Sequence, residues 1–134
     1  MDDMRSSIEN TLYRYAWTYD MNELDDIAEC FTTDAQCDFR DSGLKVGRAA
    51  VAAEMRHRRE KYADGGIPWH VISNVYVTEE TETTAHARSW YTFFVQDADG
   101  KQTHRSIGWY DDVFALEDGV WRIKTRRILS PHDS

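Results

Sequence analysis

Residues 63–78 read Ala-Asp-Gly-Gly-Ile-Pro-Trp-His-Val-Ile-Ser-Asn-Val-Tyr-Val-Thr, and they divide the chain in two. Gly65, Gly66 and Pro68 cannot continue a helix cheaply, because glycine loses the most backbone freedom on ordering and proline has no N–H to donate. After Pro68 the chain becomes rich in β-branched and aromatic residues, which predicts a strand over about 69–78. Further strands are predicted over about 82–96, 102–116 and 120–130. Asp97-Ala98-Asp99-Gly100 and Glu117-Asp118-Gly119 join the last three as short, glycine-bearing hairpin loops. Strands this long predict a strongly curved antiparallel sheet with bulges.

Working back from the break, the period is helical. Ile8, Leu12, Tyr15 and Tyr19 recur on one face of a helix predicted over 6–20, with Ser6 and Glu9 as a capping box. Asn22 is expected to cap a short second helix with apolar face Leu24, Ile27, Ala28 and Phe31, and Asp34 to close it. Ala35, Cys37 and Phe39 then alternate with polar neighbours as in a half-buried strand. Asp41-Ser42-Gly43 forms a turn into a short return strand, Leu44 to Val46. A third helix is predicted over 48–62, with Ala49, Ala52, Met55 and Tyr62 on one side and Arg56, Arg58, Arg59 and Lys61 on the other. Helices first and consecutive strands after define the class as α+β.

At 134 residues the chain fits one domain, 1–134, with one core and one pocket. Twenty-four acids against sixteen Lys and Arg give a net charge of −8, the reverse of the balance that nucleic acid selects. Arg122, Lys124, Arg126 and Arg127 form the nearest basic run, at strand spacing, where acids elsewhere can neutralise them. The opening Met1-Asp2-Asp3-Met4 lacks the basic-then-apolar pattern of a secretory signal, and no stretch reaches the roughly 18 apolar residues of a membrane span. Cys30 and Cys37 are read as two reduced thiols, and a cytoplasmic location is expected.

Among candidate reactive groups, His57 lies between arginines and His132 in the tail, both surface positions. His70 differs. It opens a strand at the sheet rim and by alternation shares a face with Ile72, Asn74 and Tyr76, where an imidazole suits acid–base work. Asp20 ends the first helix, where the dipole disfavours a carboxylate, so a compensating partner is expected there, as a triad's third member orients its base. His86 faces away from Tyr91 and Phe93, while His104 shares parity with Ser106, Gly108 and Tyr110. No phosphate-cradling glycine loop and no metal motif is present.

Helix-ending Tyr19-Asp20, Phe31-Thr32-Thr33-Asp34-Ala35, Gly47-Arg48, Trp69-His70-Val71-Ile72-Ser73-Asn74 and Asp118-Gly119-Val120-Trp121-Arg122-Ile123, in that order and spacing, resemble the SnoaL-like branch of the nuclear-transport-factor-2-like superfamily over about residues 6–130. The resemblance implies a cystatin-like cone, a curved antiparallel sheet wrapped around N-terminal helices and enclosing a pocket. It is closest in pattern to scytalone dehydratases and hexachlorocyclohexane dehydrochlorinases, cofactor-free lyases that work with an Asp–His dyad. Their Asp and His fall on Asp20 and His70, and the dehydratase's adjoining Tyr on Tyr19. The dehydratase's second tyrosine falls on Phe39, its second histidine near Phe93 and its asparagine near Tyr110, so a different, more apolar substrate is implied. A dehydrochlorinase pocket arginine falls on Arg126, with Arg127 as rival.

Together these readings predict a cofactor-free, metal-free lyase of dehydratase type acting on a small, apolar, carbonyl-bearing molecule. Asp20, His70 and Tyr19 are its catalytic candidates, and Tyr15, Phe39, Met55, Tyr91, Phe93, Tyr110 and Arg126 its substrate-binding ones. An isomerase or cyclase using the same dyad and a non-catalytic ligand-binding module are the alternatives. The resemblance also implies a homo-oligomer, trimer or dimer, through the outward-facing His86, Arg88, Trp90 and Phe94.

Overall fold

The computed structural model describes residues 3–133; Met1 and Asp2, part of the N-terminal stretch read above, and Ser134 lie outside the described residues. Helix α1 (Met4–Asp20) starts two residues earlier than the capping box predicts. Asp3 is the cap, its carboxylate accepting the Ser6 N–H at 2.7 Å, and a carboxylate suits the positive end of a helix. Ile8, Leu12, Tyr15 and Tyr19 are buried on one face as expected. Ile8 and Leu12 are wholly so, worth about 1.5–3 kcal/mol each. Thr11 adds a polar tie, its hydroxyl donating to the Trp121 carbonyl at 2.6 Å.

Asn22 does not cap the next helix. It sits in the left-handed region (φ 59°) and ends α1: its N–H donates to the Tyr19 carbonyl and that of Glu23 to the Thr18 carbonyl, the paired bonds of a Schellman stop. Helix α2 (Leu24–Ile27) follows, then a 3₁₀ turn (Ala28–Cys30) and strand β1 (Phe31–Phe39). Asp34 lies inside β1 rather than closing a turn, because the register against the C-terminal strand slips between Phe31 and Gln36 and leaves Thr33 and Asp34 outward. Strand β2 (Gly43–Val46) pairs back on β1. Helix α3 (Arg48–Arg59) buries Val51 and Met55 and tightens into a 3₁₀ turn (Glu60–Tyr62), with Ala52 and Tyr62 half-buried; Ala49, expected on the same side, is exposed in the first turn. Arg48 pins its start to the Phe31 carbonyl at 2.6 and 2.9 Å.

Four long strands complete the sheet: β3 (Ile67–Glu80), β4 (Thr84–Gln96), β5 (Gln102–Glu117) and β6 (Val120–Leu129). The order is β2-β1-β6-β5-β4-β3, antiparallel except for the parallel β1–β6 pair. The molecule is a curved six-stranded α+β fold with its helices packed on the inner face. Two bulges reset which residues face inward. At Asn74 (φ 56°) the β3–β4 register shifts, so His70 and Ile72 point inward but the inward positions then pass to Val75 and Val77. Tyr76, expected beside His70, is exposed instead. Between β4 and β5, Phe93 pairs with Ser106 but Phe94 with His104, so Arg105 is the extra residue and His104 turns to the outer face against the Phe94 ring. Among the described residues no helix is long and apolar enough to cross a membrane.

Candidate active site

The Schellman stop leaves Asp20 as the last residue of α1, beside the first residues of β3. Its carboxylate grips His70 twice: one oxygen accepts the His70 backbone N–H at 2.7 Å, the other lies 2.8 Å from ring Nδ1. A carboxylate only accepts, so the contact calls for a proton on Nδ1, which in the neutral ring leaves the lone pair on Nε2. Both side chains are 13% exposed. The carboxylate that the helix dipole disfavours also gains a cation nearby, since Arg59 caps the same helix end, donating to the Tyr19 carbonyl at 2.9 Å and to that of Asp20 at 3.2 Å.

The His70 ring stands in an aromatic wall. Ring centroids of Phe93, Tyr19, Tyr91 and Tyr15 lie 4.6, 5.4, 6.2 and 6.5 Å away. These residues enclose a cavity of about 310 Å³, which Phe39, Met55, Tyr110 and Ile128 also line. Tyr91 stacks on Tyr110 at 4.9 Å, across from Gly108. A Cβ at Gly108 would stand 2.5 Å from the Tyr91 hydroxyl and 2.6 Å from the Leu129 carbonyl oxygen, so only glycine leaves room for this ring. Burial pushes the Tyr15 phenol up to about 12 and those of Tyr19, Tyr91 and Tyr110 upward as well. All four therefore stay protonated as hydrogen-bond donors.

Tyr15, Tyr19, Phe39, Met55, His70, Tyr91, Phe93 and Tyr110 thus meet at one cavity, with Asp20 directly behind His70. Arg126 does not reach the wall. It faces inward but is completely buried beneath the floor, held by Asp112 through two bonds of 2.8 Å, with its guanidinium 3.7 Å from the Tyr110 ring and 4.5 Å from that of Tyr15. The Asp112 charge holds Arg126 above its ordinary range against the opposing effect of burial. Arg127 points outward, half-exposed, 3.7 Å from Asp111. Arg122 and Lys124 are also paired with acids, Glu29 at 2.8 Å and Asp34 at 3.5 Å.

Sequence reasoning misses Arg40, Asp41, Arg58, Lys61 and Tyr62 on the cavity wall. Helical spacing alone puts Arg58 and Lys61 on a solvated face; the packing of α3 against β1, with the 3₁₀ turn that follows α3, brings them to the cavity lining. Ser106 is present where parity with Tyr110 places it, and the Arg105 bulge removes only His104. Cys30 and Cys37 are free, buried and pushed up to about 12 by burial. Among the described residues no group of three or more His, Cys, Asp or Glu side chains could hold a metal ion.

A curved sheet wrapped around a helix and enclosing a cavity is a cystatin-like fold, like that of the solved structures it resembles. Residues 3–127 match the SnoaL-like domain, and the chain belongs to that family. Similar solved structures include Aln2 from a Streptomyces species, at 20% identity over 97% of this chain and 92% of that one, with a TM-score of 0.85. An NTF2-like protein with a cystatin-like fold from Novosphingobium aromaticivorans is 24% identical over 100% and 94% (TM-score 0.81). A scytalone dehydratase candidate from the same organism is 22% identical over 92% and 81% (TM-score 0.76). At these identities the likeness is one of fold. No curated protein sequence matches the chain.

Proposed function

We propose that the protein is a cofactor-free lyase of dehydratase type, acting on a small, flat, carbonyl-bearing alcohol. The observation that carries the reading is the double grip of Asp20 on His70, which leaves Nε2 as a base facing an aromatic cavity. His70 takes a proton from the carbon next to the carbonyl, and the electron pair moves toward the oxygen. Tyr19 donates a hydrogen bond to that oxygen, where charge develops. Asp20 stabilises the imidazolium. The imidazolium then returns its proton to the departing hydroxyl, the carbon–oxygen bond breaks, and water leaves as the double bond forms. The low-polarity wall strengthens each of these contacts. The fold shared with the N. aromaticivorans dehydratase candidate agrees with this chemistry.

Cys30 and Cys37, free and buried, support a cytoplasmic place of action. The outer sheet face, with Trp90 and Arg88 exposed, supports assembly of two or three copies. Mass analysis after incubation with a panel of aromatic β-hydroxy ketones tests the reading. Loss of water from a panel member is expected. A product of unchanged mass would replace the lyase with an isomerase or cyclase using the same base, and no turnover across the panel together with tight binding would leave a ligand-binding module.

A further inference from the structure

The cavity has two chemically different ends. Its floor, at Tyr15, Phe39, Met55 and Tyr110, is buried and carries no charge. Its opening is marked by the exposed lining residues: Arg40 and Lys61 stand there with Asp41, and Arg58 lies half-buried beside them. Asp41 and Glu54 already pair Arg58 and Asp133 pairs Arg40, while Lys61 has no carboxylate partner among the described residues. Arg58 is fixed in place: it donates to Asp41 and to the Ser42 hydroxyl at 3.1 Å, lies 3.0 Å from Glu54, and covers the Phe39 ring at 4.8 Å. Its charge reaches inward, working against burial at the phenols of Tyr15, Tyr19, Tyr62 and Tyr91, and Arg40 does the same at Tyr91. Arg40 is tethered by Asp133 at 2.8 Å, a half-buried carboxylate that also accepts the Ser130 N–H at 2.8 Å. That carboxylate already shows the kind of group Arg40 accepts.

We propose that the substrate carries an anionic group, a carboxylate, which is held at the cavity opening by Arg40 and Lys61 with Arg58 behind them while its aromatic carbonyl part reaches His70. The acid group fixes which end of the molecule enters first. It thereby sets the carbon presented to Nε2, a positioning effect of the kind that bound remote groups supply. Lys61, which has no carboxylate partner among the described residues, also draws an anion toward this low-dielectric cleft. This inference rests on the reading of the cavity as a substrate site, and deepens it by naming the acid.

Binding of 2-naphthoate and of 2-naphthamide, measured by calorimetry on the wild-type chain, tests it. The two probes match in shape and differ in charge. The carboxylate is expected to bind at least ten-fold more tightly than the amide, with a preference that shrinks as salt is raised. In the double variant Arg40→Met/Lys61→Met, two exposed positions where substitution leaves the fold intact, the preference is expected to fall toward unity while amide affinity holds. Equal or tighter amide binding by the wild type, or an undiminished preference in the double variant, overturns the proposal. The same pair of probes on His70→Ala is expected to keep the preference, so loss of turnover in that variant reports on the base and not on the acid-holding opening.

Discussion

Among the described residues two histidines are hydrogen-bonded to carboxylates, one on each face of the same sheet. Inside, His70 Nδ1 lies 2.8 Å from Asp20; outside, His86 Nε2 lies 2.7 Å from Asp111. Distance alone does not tell them apart. Their surroundings do. Asp20 spends both oxygens on one residue, ring and backbone, and both partners are nearly closed off from solvent. The His86 side chain is 37% exposed, and Asp111 is shared with Arg127 and flanked by Arg88 across the strands. The inner histidine offers a free nitrogen to an aromatic cavity, whereas the outer one belongs to a charged surface network.

The largest separation between the pairs is expected in turnover. His70→Ala should lower the rate about 10²–10⁴-fold, the usual worth of a positioned base, while His86→Ala leaves it unchanged. Steady-state rates of the two variants on one substrate check this, and similar losses in both would erase the distinction. Asp20→Asn is expected to cost about 10²-fold or more with the cavity intact, because the amide N–H₂ facing Nδ1 forces the proton onto Nε2. The rate and the far-UV circular dichroism of that variant should therefore part company.

Gly108→Ala should blur the comparison from the structural side. With its Cβ falling on the Tyr91 ring and the Leu129 carbonyl, it is expected to cost about 1–3 kcal/mol by denaturant unfolding and to open the wall beside His70. The smallest effect belongs to the outer pair: His86→Ala should shift stability by no more than about 1 kcal/mol, as exposed ion pairs do.

Much of this is legible in the sequence because it depends on period and order. The helical face of Ile8, Leu12, Tyr15 and Tyr19, the run of long strands after Pro68, and the placing of Asp20 at a helix end and His70 at a strand start all follow from local pattern. What escapes the reading is set by single-residue insertions and by tertiary reach. A bulge at Asn74 exchanges the two faces of β3 and one at Arg105 those of β5, so strict alternation misplaces Tyr76 and His104. Asn tolerates the left-handed conformation more readily than most residues, and Asn74 is the local hint. Asn22 obeys the same rule, serving as the end of one helix instead of the start of the next. The cationic opening is hidden for a different reason. Arg58 and Lys61 read as solvated from their own helix, and only the packing of α3 against β1 brings them over the cavity.

The central claim is that Asp20 fixes the His70 proton on Nδ1 and leaves Nε2 free. Nitrogen-15 NMR of the histidine rings, recorded with the imidazoles neutral and with His70→Ala to assign the signal, tests this without any substrate. The account predicts a protonated Nδ1 and an unprotonated Nε2 for His70, and loss of that bias in Asp20→Asn. A His70 ring with its proton on Nε2 in the wild type would contradict it, since the nitrogen facing the cavity could then take no proton.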